Sequence, residues 1–412
     1  MILFLHMKDH KIINDPVFGF IKVPRGLLLD IMAMPVFQRL TRIKQVGMAS
    51  VVYPGAQHTR FQHSLGAYHL MSEAILSLQQ KGIDISPEEE EAVEAAILLH
   101  DIGHGPFSHV LEHTLINDIC HEELSQLIME QMNKLMNGRL TLALSIFQDK
   151  YPKKFLHQLI SSQLDMDRLD YLRRDSFFTG VTEGNIGSAR IIKMLNVIDD
   201  RLIVESKGIY SIENYLTTRR LMYWQVYLHK TTVAMEKVLV NTLQRAKYLF
   251  SIGFNLFAPP ALLYFLSRDV DRDTFKNDNN ALKFFSILDD SDVWCAIKEW
   301  IQSKDPVLSM LATDLVYRKP FKVEVSDTPF SETRMRELRQ TLSSATNVTG
   351  DDLRYLYSVS AIQKDMYDVN DDHIDILFKD GSIKDIAEAS EILNIQLLSK
   401  KICKYYLCYQ RI

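Results

Sequence analysis

Apolar residues recur at helical spacing along most of this chain and switch to alternation only near its end. Between 27 and 46 they fall at three- and four-residue intervals, which places them on one helix face. Pro35 splits this run and opens its second piece, and Gly47 stands where a cap is expected. A helix is predicted from Arg60 to about Gln80. The next starts at Ser86-Pro87-Glu88-Glu89-Glu90, with Ser86 as N-cap, Pro87 in the first turn and acids facing the positive end of the helix. It ends in Leu98-Leu99-His100-Asp101, where Gly103, Gly105 and Pro106 stop it. Further helices are predicted over 121–136, 140–148, 152–163, 165–175 and 186–197, and residues 201–211 read as a small hairpin around Lys207-Gly208. From 212 to 250 a helical pattern runs with neither proline nor glycine, the length of one scaffold helix. The Asp- and Asn-rich stretch 269–280 reads as a surface connection. After 319 the pattern changes: 321–325 alternates at period two, 373–378 and 404–409 are strand-like, and helices are predicted at 331–345 and 384–391. The expectation is a mainly α fold, with a helical core over 11–318 and a small α+β domain over 319–412.

Composition narrows the class. With 412 residues, 47% apolar and 24% charged, the chain reads as a soluble globular protein large enough for two domains. A net charge of −5 argues against a broad nucleic-acid-binding face, so nucleic acid is left as an unsupported partner. Cys120, Cys295, Cys403 and Cys408 form no CxxC pair, which argues against a zinc ribbon or disulfide scaffold and suggests free thiols in a reducing cytoplasm. The apolar opening, residues 1–5, is too short for a secretory segment. No run reaches the roughly 18 apolar residues of a membrane helix. The expected setting is cytoplasmic, with no membrane partner.

The candidate chemistry lies in four separated pieces: Arg60-Phe61-Gln62-His63; His100-Asp101; the group His104, His109, Glu112 and His121; and Asp165-Met166-Asp167-Arg168-Leu169-Asp170-Tyr171. Each has an ordinary reading, His63 as a cap or core histidine and the aspartates as a solvated helix face. Adjacent helical side chains point about 100° apart, so His100 and Asp101 supply two corners of a site that other segments must complete. Seven of the thirteen histidines fall between 63 and 121, and Gly103 and Gly105 are expected to leave room beside them for a ligand.

His63, His100-Asp101 and Asp167 match the H…HD…D pattern of the HD-domain phosphohydrolases. Longer stretches resemble the deoxynucleoside-triphosphate triphosphohydrolase branch, which includes dGTPases and a vertebrate enzyme that combines SAM and HD domains. They are Asp15-Pro16-Val17-Phe18-Gly19, Phe37-Gln38-Arg39-Leu40, Tyr53-Pro54-Gly55-Ala56, 58–66 and 100–109. The likeness spans about 11–250. It implies an HD-domain core, hydrolysis of a dNTP to deoxynucleoside and triphosphate, one divalent metal ion, and a homo-oligomer, dimer or tetramer. The implied ligands are His63, His100, Asp101 and Asp167, a mixed nitrogen and oxygen set that suits Mn, Fe, Ni or Zn and permits Mg. The resemblance places His104 and His121 in the catalytic set with Glu112 as the orienting carboxylate, where the vertebrate enzyme has aspartate. It places Arg60, His109 and Arg168 at the phosphates, Tyr171 and Asp175 at the deoxyribose, and Gln45 and Tyr227 elsewhere in the pocket. Arg168 stands for a lysine of that relative, which keeps the charge but not the geometry; Tyr223 stands for a histidine and Leu228 for a glutamine, which leaves base preference open. Ala33 and Thr41 replace an aspartate and an arginine of its activator site, so the same guanine-nucleotide activation is not expected. The rival enzymatic reading is an HD phosphodiesterase or nucleotidase acting on another nucleotide. A different class is a catalytically vestigial protein that senses nucleotides or binds nucleic acid.

Overall fold

The computed structural model describes residues 10–107, 109–112, 114–364, 367, 373–390 and 402–412. The apolar opening at 1–5 lies outside them. The chain begins with a hairpin, β1 (His10–Asp15) and β2 (Gly19–Pro24). Asp15 closes its turn, accepting the Val17 and Phe18 N–H groups at 2.9 Å. Then come α1 (Leu27–Ala33) and α2 (Pro35–Gln38), split at Pro35, and a 3-10 turn over Arg39–Arg42. Gly47 opens a second 3-10 turn, Gly47–Val51, instead of capping the preceding helix.

The core helices follow: α3 (Arg60–Gln80), α4 (Pro87–Leu99), α5 (His109–Glu112), α6 (His121–Leu135), α7 (Thr141–Phe147), α8 (Lys154–Gln158), α9 (Met166–Thr179) and α10 (Ser188–Met194). Ser86 caps α4 reciprocally with Glu89, the capping box that the sequence pattern signals. α3 is the central member and packs against both α4 and α9. Gly66 makes the second contact close, since a Cβ there would lie 1.9 Å from Asp170 Oδ1 and 2.1 Å from Arg174 Nη2.

Four expectations are corrected in the next stretch. The hairpin is β3 (Leu195–Ile198) with β4 (Arg201–Glu205), turning at Asp199 and Asp200, both in the left-handed region. Residues 209–211 belong to α11 (Ile209–Met222), and the helix predicted over 186–197 stops at Met194. The helix predicted over 152–163 is only α8. The predicted single helix over 212–250 is two. A π-helical turn, Tyr223–Tyr227, ends the first, and α12 (Lys230–Ser251) begins after His229, whose Nδ1 accepts the Thr231 N–H at 3.2 Å.

α13 (Pro260–Leu266), α14 (Arg272–Asn277), α15 (Asn279–Phe285), α16 (Asp290–Trp300) and α17 (Pro306–Val316) complete the helical mass. The polar stretch 269–280 is therefore largely helical; Asp271 and Asp278 are its N-caps.

The remaining elements are β5 (Lys322–Ser326), α18 (Glu332–Thr346), β6 (Tyr357–Lys364), β7 (Asp375–Leu377), β8 (Ile383–Asp385), α19 (Ile386–Ala389) and β9 (Ile402–Tyr409). β5 and β6 flank β9 in an antiparallel sheet. β7 pairs in parallel with β4, so a four-stranded sheet in the order β3-β4-β7-β8 crosses the boundary expected near 318. The fold is mainly α with small sheets.

Candidate metal centre and active site

α3, α4 and α9 bring four donors together. His63 sits in the first turn of α3, His100 caps α4, Asp101 follows it, and Asp167 lies in the first turn of α9. His63 Nε2 is 3.2 Å from His100 Nε2, 3.1 Å from Asp167 Oδ1 and 3.6 Å from Asp101 Oδ2. His100 Nε2 is 3.4 Å from Asp101 Oδ1 and 3.5 Å from Asp167 Oδ1. Bonds of about 2.1 Å to one ion put neighbouring ligand atoms about 3 Å apart, so these separations suit a cation at their centre.

Tautomers sharpen the test of fit. His63 Nδ1 lies 2.7 Å from Asp170 Oδ2, and His100 Nδ1 lies 2.6 Å from the Ile97 carbonyl. Both are proton-donor positions, which leaves each Nε2 as a lone pair aimed at the other. Two lone pairs and two carboxylates in one spot require positive charge between them. Without an ion, that charge is a proton. Burial alone would drive His63 down, yet Asp167 and Asp170 outweigh it and raise it to about 10. Asp101 resists burial in the same way, held well below the carboxylate range chiefly by Arg60, then by His100 and His104. The cluster is not sealed, because the Asp167 side chain is 26% exposed.

Asp170 anchors this arrangement. It is fully buried, takes three hydrogen bonds from the Arg174 guanidinium, and Arg174 also reaches Asp15 in the hairpin turn at 2.7 Å. From sequence alone Asp170 is either a support beside the ligands or a helix-surface acid; the fold decides for the first, since it faces His63 Nδ1.

A second group adjoins the first. His104 Nε2 is 3.3 Å from Asp101 Oδ1, and its ring stacks on His121 with centroids 3.9 Å apart. Glu112 Oε1 lies 3.1 Å from His121 Nδ1 and 4.0 Å from His104 Nδ1. Burial and then Arg60 push His104 well below its usual value. The room at Gly103 is not for a ligand. A Cβ there would meet His121 O at 2.1 Å and Ser125 N at 2.3 Å, so the glycine admits the start of α6 and brings His121 to His104. Ser125 also donates to the His100 carbonyl at 2.7 Å. Arg60 donates to Asp101. Of His109 only the backbone, at the start of α5, is described; its side chain lies outside the described residues.

Aromatic residues stand beside the cluster. The Tyr171 ring is 6.5 Å from His63 and 6.2 Å from Tyr227, and Tyr227 is 5.2 Å from Tyr223. The π-helical turn carries both Tyr223 and Tyr227, in line with the frequent use of such turns at functional sites. Asp175 is buried and committed: one oxygen accepts from the Tyr227 hydroxyl at 2.6 Å, and the other lies 2.7 Å from His58 Nε2. Gln45 joins this side through its N–H to the His58 carbonyl at 3.0 Å. Arg168 donates to Asp165, the N-cap of α9.

Sequence reasoning missed Arg219. It lies on α11 within electrostatic reach of Tyr215, Tyr171, Arg168 and Tyr223, and its buried Nε and Nη1 have no hydrogen-bond partner among the described residues. Its position four residues before Tyr223, one α-helical turn away, was a signal that could have found it.

An HD domain model matches residues 60–175, and an HD associated region matches 186–248. The uncharacterized protein YwfO of Bacillus subtilis is 30% identical over 401 residues, 94% of this chain and 89% of that one. The deoxynucleoside triphosphate triphosphohydrolase SAMHD1 of Homo sapiens is 29% identical over 286 residues, 59% of this chain and 45% of that one. The SAMHD1 homolog of Dictyostelium discoideum is 31% identical over 274 residues, 61% of this chain and 52% of that one. The chain thus spans about half the length of these two triphosphohydrolases. A crystal structure of a phosphohydrolase from Bacteroides thetaiotaomicron superposes with a TM-score of 0.95 at 64% identity, covering 98% of this chain and all of that one.

Proposed function

This chain belongs to the family of HD-domain phosphohydrolases, and on that premise we propose that it is a metal-dependent dNTP triphosphohydrolase, releasing a deoxynucleoside and inorganic triphosphate. The observation that carries the reading is the pair of imidazole lone pairs 3.2 Å apart, flanked by Asp101 and Asp167. His63, His100, Asp101 and Asp167 would hold one divalent ion, which when bound supplies Lewis acidity to the phosphate and to the attacking water.

The chain's own groups do the rest. Asp170 and the Ile97 carbonyl hold the two imidazoles in the tautomer that presents Nε2 inward. Arg60, Arg168 and Arg219 give the triphosphate its positive partners; planar guanidinium groups match phosphate oxygens in pairs. Substrate phosphate offsets the charge of Arg60, and with it one cause of the depressed His104 value. The negative substrate phosphate thus favours a proton on His104, taken from solvent against its burial, and His104 delivers it to the departing ester oxygen, while Glu112 orients the stacked His121 beside it. Tyr171 and Tyr227 pack against the sugar, and Asp175 fixes the Tyr227 hydroxyl. The named triphosphohydrolase relatives support this choice of substrate over other nucleotides.

The test is a panel of the four dNTPs with Mn, Fe or Mg, products separated by chromatography, beside Asp101→Ala. Intact triphosphate is expected, with turnover falling by about a hundredfold or more in the variant, together with loss of bound metal by elemental analysis. Monophosphate or free phosphate as product would move the assignment to a phosphodiesterase or nucleotidase. No turnover with any metal would favour a vestigial site.

A further inference from the structure

The start of α16 lies outside both matched regions, yet it grips the turn that carries His104. Three consecutive residues reach back to the first third of the chain. The Leu288 carbonyl accepts Arg39 Nε at 2.8 Å, and the same guanidinium donates to the Ile102 and His104 carbonyls at 3.1 and 2.5 Å. Asp289 pairs with Arg42. Asp290 accepts two backbone N–H groups, Phe107 at 3.2 Å and Lys44 at 3.0 Å. Phe107 has φ +53°, a left-handed conformation that a bulky residue keeps only where its surroundings fix it. Its ring meets Trp294 of α16 edge-on at 5.9 Å.

We propose that Asp290 is a positioning residue for the catalytic turn: by holding Phe107 and Lys44 together it fixes residues 101–107 and keeps His104 between Asp101 and Glu112. The inference rests on the reading of His104 as a catalytic group. A carboxylate is the side chain that suits this place, because both of its oxygens accept and an amide would turn a donor toward one of the two N–H groups. The site also explains how the role can be removed without loss of the fold. Asp290 borders a cavity of about 870 Å³ shared with Arg42, Lys44 and Trp294. Water entering there can satisfy the freed N–H groups, although it cannot hold them in register.

Hydrogen exchange read by mass spectrometry tests the inference without any assay. In Asp290→Asn and Asp290→Ala the amides of 101–107 should exchange about tenfold faster or more, while peptides from α9 and α12 keep their wild-type rates. Unchanged protection over 101–107 overturns the inference whatever the turnover. Kinetics supply the second arm. For the dNTP hydrolysed best, kcat should fall about tenfold with KM within about twofold, and turnover of bis(4-nitrophenyl) phosphate, whose leaving group needs no proton, should hold. His104→Ala is run beside it. If that variant shows no such split, the reading of His104 fails and exchange alone decides the role of Asp290. If it does and Asp290→Asn loses both activities equally, the positioning role is refuted.

Discussion

At Gly66 the missing side chain is what lets Asp170 and Arg174 lie against α3. An added Cβ would sit 1.9 Å from one and 2.1 Å from the other. Neither can retreat, since Asp170 is bonded to His63 and Arg174 to Asp15, and both are buried. Gly66→Ala should therefore break a buried ion pair and disturb His63 together, costing on the order of 3–5 kcal/mol. A urea titration with elemental analysis reads both effects; an unchanged midpoint and metal content would show that α3 and α9 can separate without consequence. The same residues show what sequence reveals at this scale. His63, His100, Asp101 and Asp167 were legible because motif and chemistry coincide at fixed positions. Arg39 and Arg219 were not. Arg39 serves three backbone carbonyls, and a carbonyl leaves no mark in a sequence. Asp170 stayed between a support beside the ligands and one more acid on a helix face until α3 was placed against it.

Elements were legible where the local signal was chemical and failed where it was only periodic. Ser86-Pro87 fixed the start of α4, and the alternation at 321–325 found β5. The break between α11 and α12 was invisible because Tyr223 to Tyr227 suits either helical form and no glycine or proline marks it. The Asp-rich stretch misled because aspartate caps helices as readily as it fills loops. The first hairpin carries a prediction at this scale. Between β1 and α1 lies a cavity of about 810 Å³, with Lys11, Asn14, Arg25 and Gln38 among apolar residues and Ala33. Guanine offers N–H donors that a carboxylate would accept, and Ala33 contributes only a methyl. Thr41 borders the separate cavity beside Trp294. GTP added to a dNTP assay should thus change the rate by less than about twofold, because unpaired donors forfeit the binding that activation requires. Many-fold stimulation would show that other groups receive the guanine.

On the scale of the whole molecule, residues after 318 are woven into the helical core. β7 extends the sheet through β4, pairing Val204 with Ile376 and Glu205 with Leu377. Asn241 of α12 donates to the Tyr355 carbonyl at 2.8 Å, and Arg245 spans Asp305 and Asp352. Gln410 reaches Asp314 of α17 at 2.6 Å. Leu356, Ile376, Leu407 and Cys408 are fully buried. Alternation at 321–325 and the strand-like run at 373–378 announced strands, but neither carries information about which sheet receives them, and so the boundary near 318 read as a domain limit. A chain ending at 318 should behave accordingly. It would bare the faces of α12 and α17 that these residues cover, leave β4 as an unprotected edge, and strip Arg245 of Asp352. Asp352 is partly exposed and Arg245 keeps Asp305, so losing that pair costs about 1 kcal/mol or less; the lost apolar burial is the larger cost, against a total stability of roughly 5–15 kcal/mol. The truncated chain should be recovered mostly as aggregate, and any soluble fraction should melt at lower urea than the full chain. Recovery of a monodisperse 1–318 protein with the full chain's midpoint and dNTP turnover would show that the helical part stands alone and that the strand added to β4 is dispensable.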